Sequence, residues 1–397
     1  MSVRVLVPSP VGADTMANGA PAGLPRRTPR PWHGMTMPVW LRLLVRNHFA
    51  VSPSRIPMAL AVSVFSVLNS SAAVVQRIRF GRAVSRTRIE IPPLFIVGHW
   101  RTGTTLLHEL LALDDRFAYP TTYQCMAPRH FLVTRRMMTR LGGLLLPEHR
   151  PIDGMRLRWD LPQEDEFALC VQGLPSLYAG WAFPRRGGDG PTLDPAEMLG
   201  EEGRRWRAAL LGFLQAVTLG DGRRLVLKSP AHTARAATLA EMFPGASFVH
   251  MVRDPYVVVP SALEAWRRMA DSLGLQTGCR PDLEDHLMGV FEAMYRRFEE
   301  DRKRIGPGRV VDVRYEDLVA DPVAVMARIY QSLGLGGFEG VRPAIEGYVE
   351  AAAGYLTNRH ESTPGLRRRI TERWAGYARR YGYELDDPQA VPVAPTA

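Results

Sequence analysis

Short, continuously apolar runs alternate with longer stretches of helical period over much of the chain. LFIV (Leu94–Val97), RLVLK (Arg224–Lys228), SFVHMVR (Ser247–Arg253) and RVVDVRY (Arg309–Tyr315) lack the in–out alternation of a half-exposed strand. Runs of this kind are covered on both faces, as in a parallel sheet. Between them, TTLLHELLALDD (Thr104–Asp115) and the stretch from Thr233 to Phe243 read as helices. Two further helices open at Asp254-Pro255 and Asp321-Pro322, with proline at the first helical position, where a missing N–H is harmless. The pattern predicts an α/β fold with a central parallel sheet flanked by helices. Residues 121–220, rich in Pro, Gly and Trp, interrupt it and read as an irregular and helical insertion over the sheet's functional edge. No internal repeat is present.

The ends follow other rules. Residues 1–36 are rich in Pro, Gly, Ala and Arg without apolar period and are expected to be a disordered leader, with Met35 or Met37 as an alternative start. Their VLV run is too short for a signal peptide core. Residues 37–90 form a helical segment. In PVWLRLLVRNHFAV (Pro38–Val51), Trp40, Leu41, Leu44 and Phe49 oppose Arg42 and Arg46 as in an amphipathic helix. IPMALAVSVFSVLNSSAAVV (Ile56–Val75) reaches most of the way across a bilayer, but serines and an asparagine interrupt it. A helical hairpin docked on the main domain and a peripheral membrane contact through residues 38–75 both fit. The main domain is expected over 91–385, and DPQAVPVAPTA after Asp386 is expected to be a disordered tail.

Composition narrows the partners. The 397 residues carry a net charge of +10, and arginine supplies nearly all of the basic excess, since the only lysines are Lys228 and Lys303. That balance suits an anionic ligand or an acidic surface as readily as an arginine-rich proteome. No basic run with interleaved aromatics occurs, so nucleic acid is not expected. Cys125, Cys170 and Cys279 are odd in number, far apart and outside any metal-binding spacing, which reads as free thiols in a reducing, cytoplasmic compartment with no structural metal.

The chemistry concentrates at the end of the first strand, in LFIVGHWRTGTTLLHELL (Leu94–Leu111). A strand, a turn bounded by Gly98 and Gly103 and a helix beginning at Thr104 gather backbone N–H groups around one point, which makes an anion site. A nucleoside-triphosphate loop needs lysine where Thr104 stands. Arg101, with its forked donors, offers a shorter grip suited to a single 5′-phosphate. The stretch resembles the 5′-phosphosulfate loop of the sulfotransferases, P-[KR]-[ST]-G-T-T, matched by Arg101-Thr102-Gly103-Thr104-Thr105 with His99-Trp100 ahead of it. HMVRDPYVVVPSAL (His250–Leu263) resembles that family's 3′-phosphate motif, with Arg253 at a strand end and Ser261 in the following helix. LVLKSPAHTA (Leu225–Ala234) is similar to its Lys-Ser/Thr pair, whose lysine reaches the bridging oxygen of the donor. VDVRYEDLVADP (Val311–Pro322) is similar to a segment that is usually structural in the family, where Glu316 and Asp317 are expected to cap or pair locally.

The resemblance implies a P-loop-like fold and transfer of a sulfuryl group from 3′-phosphoadenosine 5′-phosphosulfate (PAPS), without a metal, to a hydroxyl or amine of a carbohydrate, lipid or small-molecule acceptor. It implies nucleotide contacts from Arg101, Thr102, Gly103, Thr104, Thr105, Arg253 and Ser261, and charge stabilisation by Arg101 and Lys228. The general base is open. Many relatives place a glutamate past the loop, where this chain reads AYPTTYQC (Ala118–Cys125) with no carboxylate. LPQEDEFAL (Leu161–Leu169) offers Glu164, whose Glu-x-x-Phe context resembles the base of heparan-modifying members, although three adjacent carboxylates also make an acidic first helical turn. His232 is the rival, displaced by Pro230 from the place of the histidine in cytosolic members. His108 and Glu109 rank behind both. Trp100, Trp159, Trp181 and Trp266 read as core, or as stacking surfaces for adenine or acceptor. RHESTPGLRRR (Arg359–Arg369) reads as a basic flap or a solvated helix face. A P-loop nucleotide kinase and an inactive nucleotide-binding or membrane scaffold are the competing functions.

Overall fold

The structure, a computed structural model, describes residues 30–141, 158–185, 200–352 and 362–386. Its centre is a five-stranded, wholly parallel sheet: β1 (Leu94–Gly98), β2 (Phe117–Ala118), β3 (Arg224–Lys228), β4 (Ser247–Val252) and β5 (Val310–Arg314), in the order β2-β3-β1-β4-β5. Strands β1 and β4 are buried throughout, as their unbroken apolar runs require. In register, Ile96 lies beside Lys228, Gly98 beside Met251, and Val252 beside Arg314. The carboxyl ends of β1, β3, β4 and β5 therefore form one edge, where open α/β sheets bind ligands.

Helices cover both faces. In chain order they are α1 (Met37–Arg46), α2 (Ile56–Arg86), α3 (Thr104–Leu111), α4 (Thr122–Met126), α5 (Phe131–Leu141), α6 (Asp165–Val171), α7 (Glu201–Val217), α8 (Ala236–Met242), α9 (Pro255–Leu273), α10 (Leu283–Ile305), α11 (Tyr315–Ala320), α12 (Pro322–Ser332), α13 (Phe338–Ala352) and α14 (Pro364–Tyr381). Alternate residues of β1 feed two cores. Phe95 and Val97 pack with Trp206, Leu210 and Phe213 of α7, whereas Leu94 and Ile96 pack with α3 and with Met326 and Ile329 of α12. Helices α9 and α12 open with proline at the first position, and Asp254 and Asp321 accept backbone N–H bonds there.

Among the described residues the insertion contributes α4 to α7. Two expectations change. The segment Pro230–Arg235 is a 3-10 turn ahead of α8, so the expected continuous helix forms only from Ala236. The leader boundary at residue 36 is too late: Pro31–Gly34 form a 3-10 turn, and Trp32 is buried with its Nε1 donating to the Leu273 carbonyl at 2.8 Å. An aromatic ring with a bonded N–H anchors what composition alone reads as loose chain. Residues 1–29 and 387–397 lie outside the described residues.

Helix α2 runs past Val75 to Arg86 and docks beside α1, α5 and α7. Among the described residues, the helical stretch Pro53–Arg86 is the one long and apolar enough to cross a membrane; its most apolar window has mean hydropathy 1.9 and is 17% buried.

Candidate active site

The loop after β1 has the backbone that the sequence demands. Gly98 and Gly103 have φ of 133° and 89°. A Cβ on Gly98 would meet the Met251 carbonyl oxygen at 2.5 Å, and one on Gly103 would meet the Tyr315 ring at 2.3 Å. Neither position admits a side chain. Arg101 between them also lies in the left-handed region, with φ of 71°, an uncommon conformation for a residue with a Cβ. Thr102 is fully buried, and its hydroxyl donates to the His99 carbonyl at 2.6 Å. Its side chain closes the loop from within. Thr104 and Thr105 open α3, so the unpaired N–H groups of its first turn face the same point.

A chain of side-chain bonds starts and ends on this loop. Trp100 Nε1 donates to the Tyr178 hydroxyl at 2.9 Å. Tyr178 donates to Glu164 Oε2. Glu164 Oε1 accepts from Lys228 Nζ at 2.5 Å, and Lys228 Nζ lies 3.4 Å from Thr105 Oγ1. Loop, insertion and β3 are thereby joined around the Glu164 carboxylate. Burial, followed by the charge of Glu164, pushes the Tyr178 phenol well above its ordinary pKa, so it remains a donor. Tyr178 stacks on Trp181 at 4.3 Å, and Trp100 and Trp266 meet edge to face at 5.3 Å. Trp100, Trp181 and Trp266 thus cluster around Tyr178, the donor to Glu164, while Trp159 packs on Tyr123.

The three adjacent carboxylates do form the start of α6, with Glu164 as its N-cap. Each also has its own basic partner between the end of β3 and Arg235. Glu164 pairs with Lys228, Asp165 with His232 at 2.5 Å, and Glu166 with Arg235 at 2.8 Å. His232 and Asp165 are fully buried, and the imidazole meets Phe95 and Trp206 edge to face. The fold therefore keeps His232 inside the protein, with Nε2 bound to Asp165. His108 is buried beside Tyr119, and Glu109 accepts from Tyr348 at 2.6 Å. Neither joins the bonded ring.

A second cationic centre faces the loop from β4. Arg253 Nη1 donates to the Arg101 carbonyl at 3.0 Å, and Arg101 Nε donates to Ser261 Oγ at 2.9 Å. Arg101, Arg253 and Ser261, far apart in sequence, meet here. Arg253 lies 3.9 Å above the Tyr315 ring. Burial lowers its pKa, and the neighbouring Arg101 opposes its charge as well. Among the described residues Arg253 has no ion pair with Asp254, which instead accepts from Tyr256 N at 2.8 Å. Glu316 has a local ion pair with Arg314 at 4.0 Å, but its hydrogen bonds reach across the fold: it accepts from Asp254 N at 3.2 Å and from Tyr383 at 2.9 Å. Of the C-terminal basic stretch, residues 359–361 lie outside the described residues; Arg367 pairs with Asp386, and Arg369 with Glu284 and Asp285.

Tyr178 and Tyr315 were not legible as site residues. Tyr178 has no motif around it. Tyr315 belongs to the Tyr-Glu-Asp-Leu segment, but its service to Arg253 and Gly103 depends on β5 lying beside β4.

Comparison with known proteins agrees with this geometry. The model of the Sulfotransferase family matches residues 92–339. An omega-hydroxy-beta-dihydromenaquinone-9 sulfotransferase, Stf3, of Mycobacterium bovis is 42% identical over 365 residues, covering 92% of this chain and 94% of its own; that of Mycobacterium tuberculosis matches equally. The crystal structure of sulfotransferase STF9 from Mycobacterium avium superposes with a TM-score of 0.64 at 20% identity, covering 89% of this chain and 98% of that one. STF1 from Mycobacterium tuberculosis superposes at 0.59, also at 20% identity, covering 89% of this chain and 94% of its own. A lysine-free glycine loop at the carboxyl edge of a parallel sheet, matched by the family model and by a relative along nearly its whole length, makes this chain a member of the sulfotransferase family and a sulfotransferase enzyme.

Proposed function

We propose that the chain transfers a sulfuryl group from PAPS to the hydroxyl of an apolar, lipid-like acceptor. The observation that carries this is the bonded ring Trp100–Tyr178–Glu164–Lys228–Thr105, which sets a carboxylate and a lysine together against the anion-binding loop. The N–H groups of the loop and of the first turn of α3 take the 5′-phosphosulfate, with Arg101 and the hydroxyls of Thr104 and Thr105. Arg253 and Ser261 take the 3′-phosphate. The S–O bond to the acceptor forms as the S–O bond to the bridging oxygen breaks. Lys228 stabilises the negative charge that builds on that oxygen. The acceptor's proton passes to Glu164, and 3′,5′-adenosine bisphosphate leaves. His232, held inside by Asp165, positions the turn after Lys228 and takes no proton. Placing donor and acceptor in line is the remaining task, met by rigid elements on both sides of the loop.

The acceptor class rests on two supports. Aromatic rings cluster around Tyr178, which donates to Glu164, and the 42% identical relatives are named for a hydroxylated menaquinone. Such an acceptor resides in a membrane, which residues 38–75 of an otherwise cytoplasmic protein would contact peripherally. Titration calorimetry with 3′,5′-adenosine bisphosphate and with ATP tests the donor: the bisphosphate binds, and ATP at least tenfold more weakly. Preference for ATP would make the chain a kinase. Transfer of labelled sulfate from PAPS to a hydroxylated isoprenoid quinone tests the acceptor, and transfer only to sugars would refute it.

A further inference from the structure

Helix α2 is inverted relative to an ordinary surface helix, which turns its apolar stripe inward. Its polar residues face the protein. Trp40 Nε1 donates to Ser63 Oγ at 2.9 Å, and Met37 N donates to Ser70 Oγ at 2.8 Å. Asn69 Nδ2 donates to the carbonyls of His33 at 2.6 Å and Met35 at 3.0 Å. Leu132 N donates to Gln76 Oε1 at 2.8 Å. The other side carries Leu60, Val64, Phe65, Leu68, Val75 and Ile78, exposed by 46 to 78%. Leu41, Val45 and Phe49 extend the apolar surface onto α1 and the turn after it. Single exposed apolar residues are ordinary, but a strip along a helix about 46 Å long marks an interaction surface.

Charge identifies the partner. From Met37 to Ile89 the chain has no aspartate or glutamate. Arg42, Arg46, Arg77, Arg79, Arg82 and Arg86 are exposed along it. Arg129 lines, with Arg77, a groove of about 560 Å³ between α2 and α7. Burial lowers the pKa of Arg129, and the charges of Arg42 and Arg77, close enough to act on it, lower it further. A second copy of the chain would bring the same arginines face to face, because a two-fold interface is self-complementary.

We propose that the outward faces of α1 and α2 seat the protein on an anionic lipid bilayer, with α2 lying in the membrane plane. Crossing the bilayer would tear away the bonds that tie its polar stripe to the domain from Ser63 to Gln76. The inference rests on the lipid-acceptor reading and deepens it. Trp40 of α1 and Val62 of α2 share one packed cluster with Tyr178 and Trp181. The inward sides of α1 and α2 are therefore packed against the cluster around Tyr178, so the seated helices and the donor to Glu164 belong to one body, and an acceptor would keep its apolar part in lipid while its hydroxyl meets Glu164.

Co-sedimentation of the full chain with vesicles of phosphatidylcholine alone, or mixed with phosphatidylglycerol, tests this. Binding to the anionic vesicles is expected to be at least tenfold tighter and to weaken with salt. A Leu60→Gln, Val64→Gln, Leu68→Gln variant loses binding to both. An Arg77→Gln, Arg79→Gln, Arg82→Gln variant loses the anionic preference. Both keep wild-type circular dichroism and wild-type transfer to a short-chain, water-soluble alcohol. Failure to bind either vesicle overturns the proposal, as does a lipid-free dimer that the apolar triple variant dissociates. Vesicle binding without transfer to any lipid alcohol supports the surface and removes the acceptor reading instead.

Discussion

Glu164 is held by donors from two directions, Lys228 on one oxygen and Tyr178 on the other. As the proton acceptor it is expected to contribute about 10²- to 10⁴-fold to kcat. Glu164→Gln should show that loss while Kd for 3′,5′-adenosine bisphosphate stays within about threefold by calorimetry, since the nucleotide grip lies on other residues. A variant that keeps most of its kcat would remove Glu164 from the role. Arg253 is the complementary case. Losing a charged hydrogen bond costs about 1.5–3 kcal/mol, or about 10- to 100-fold. Arg253→Ala should weaken the bisphosphate by that factor and leave the affinity for adenosine 5′-monophosphate, which lacks the 3′-phosphate, unchanged. A residue outside the site sets a pH dependence. Burial drives the His130 imidazole down to about 4 from its ordinary 6.5. The folded state thus favours the neutral ring: its stability is fully present above pH 6.5 and is lost as pH falls toward 4. At pH 5 the loss is about 2 kcal/mol. Comparing Tm between pH 7.5 and 5 should show the decline, with a shallower slope in His130→Gln.

At the scale of elements, the anion loop was the most legible feature. Its glycines, the preceding strand and the following helix are local and carry their own signals. Its support was not local. The Tyr315 ring packs where a Cβ on Gly103 would fall and also lies under Arg253, because β5 pairs with β4. Tyr315→Ala should therefore weaken 3′,5′-adenosine bisphosphate about 3- to 30-fold through loss of the cation–π contact, while Tyr315→Phe keeps wild-type affinity. Equal losses in both variants would show that the hydroxyl, not the ring, matters. Helix α2 marks the opposite limit. Its serines and asparagine looked like interruptions of an apolar run, but their bonds to the domain make them the docking face and leave the apolar face outside.

Across the whole molecule, one interlock fixes the insertion to the sheet. Glu164, Asp165 and Glu166 meet Lys228, His232 and Arg235, each on its own partner. Arg235 and Glu166 are both buried, so Arg235→Met leaves a carboxylate unpaired inside the protein. That change should cost about 3–5 kcal/mol, read as a fall in the denaturant midpoint. A variant as stable as wild type would show that the interlock does not bear on the fold.

The sequence by itself determined four of the five strands, the proline-led helices, the glycine loop and the arginine–serine pair. These depend on periodicity, on φ preference and on spacing within a few residues, all of which are written locally. Only the tertiary structure decided which acids meet which cations, that Thr102 and His232 turn inward, that Tyr178 and Tyr315 serve the site, and which face of α2 looks outward. Those outcomes depend on segments as far apart as Gly103 and Tyr315, about two hundred residues, being packed together, and no local pattern encodes that distance.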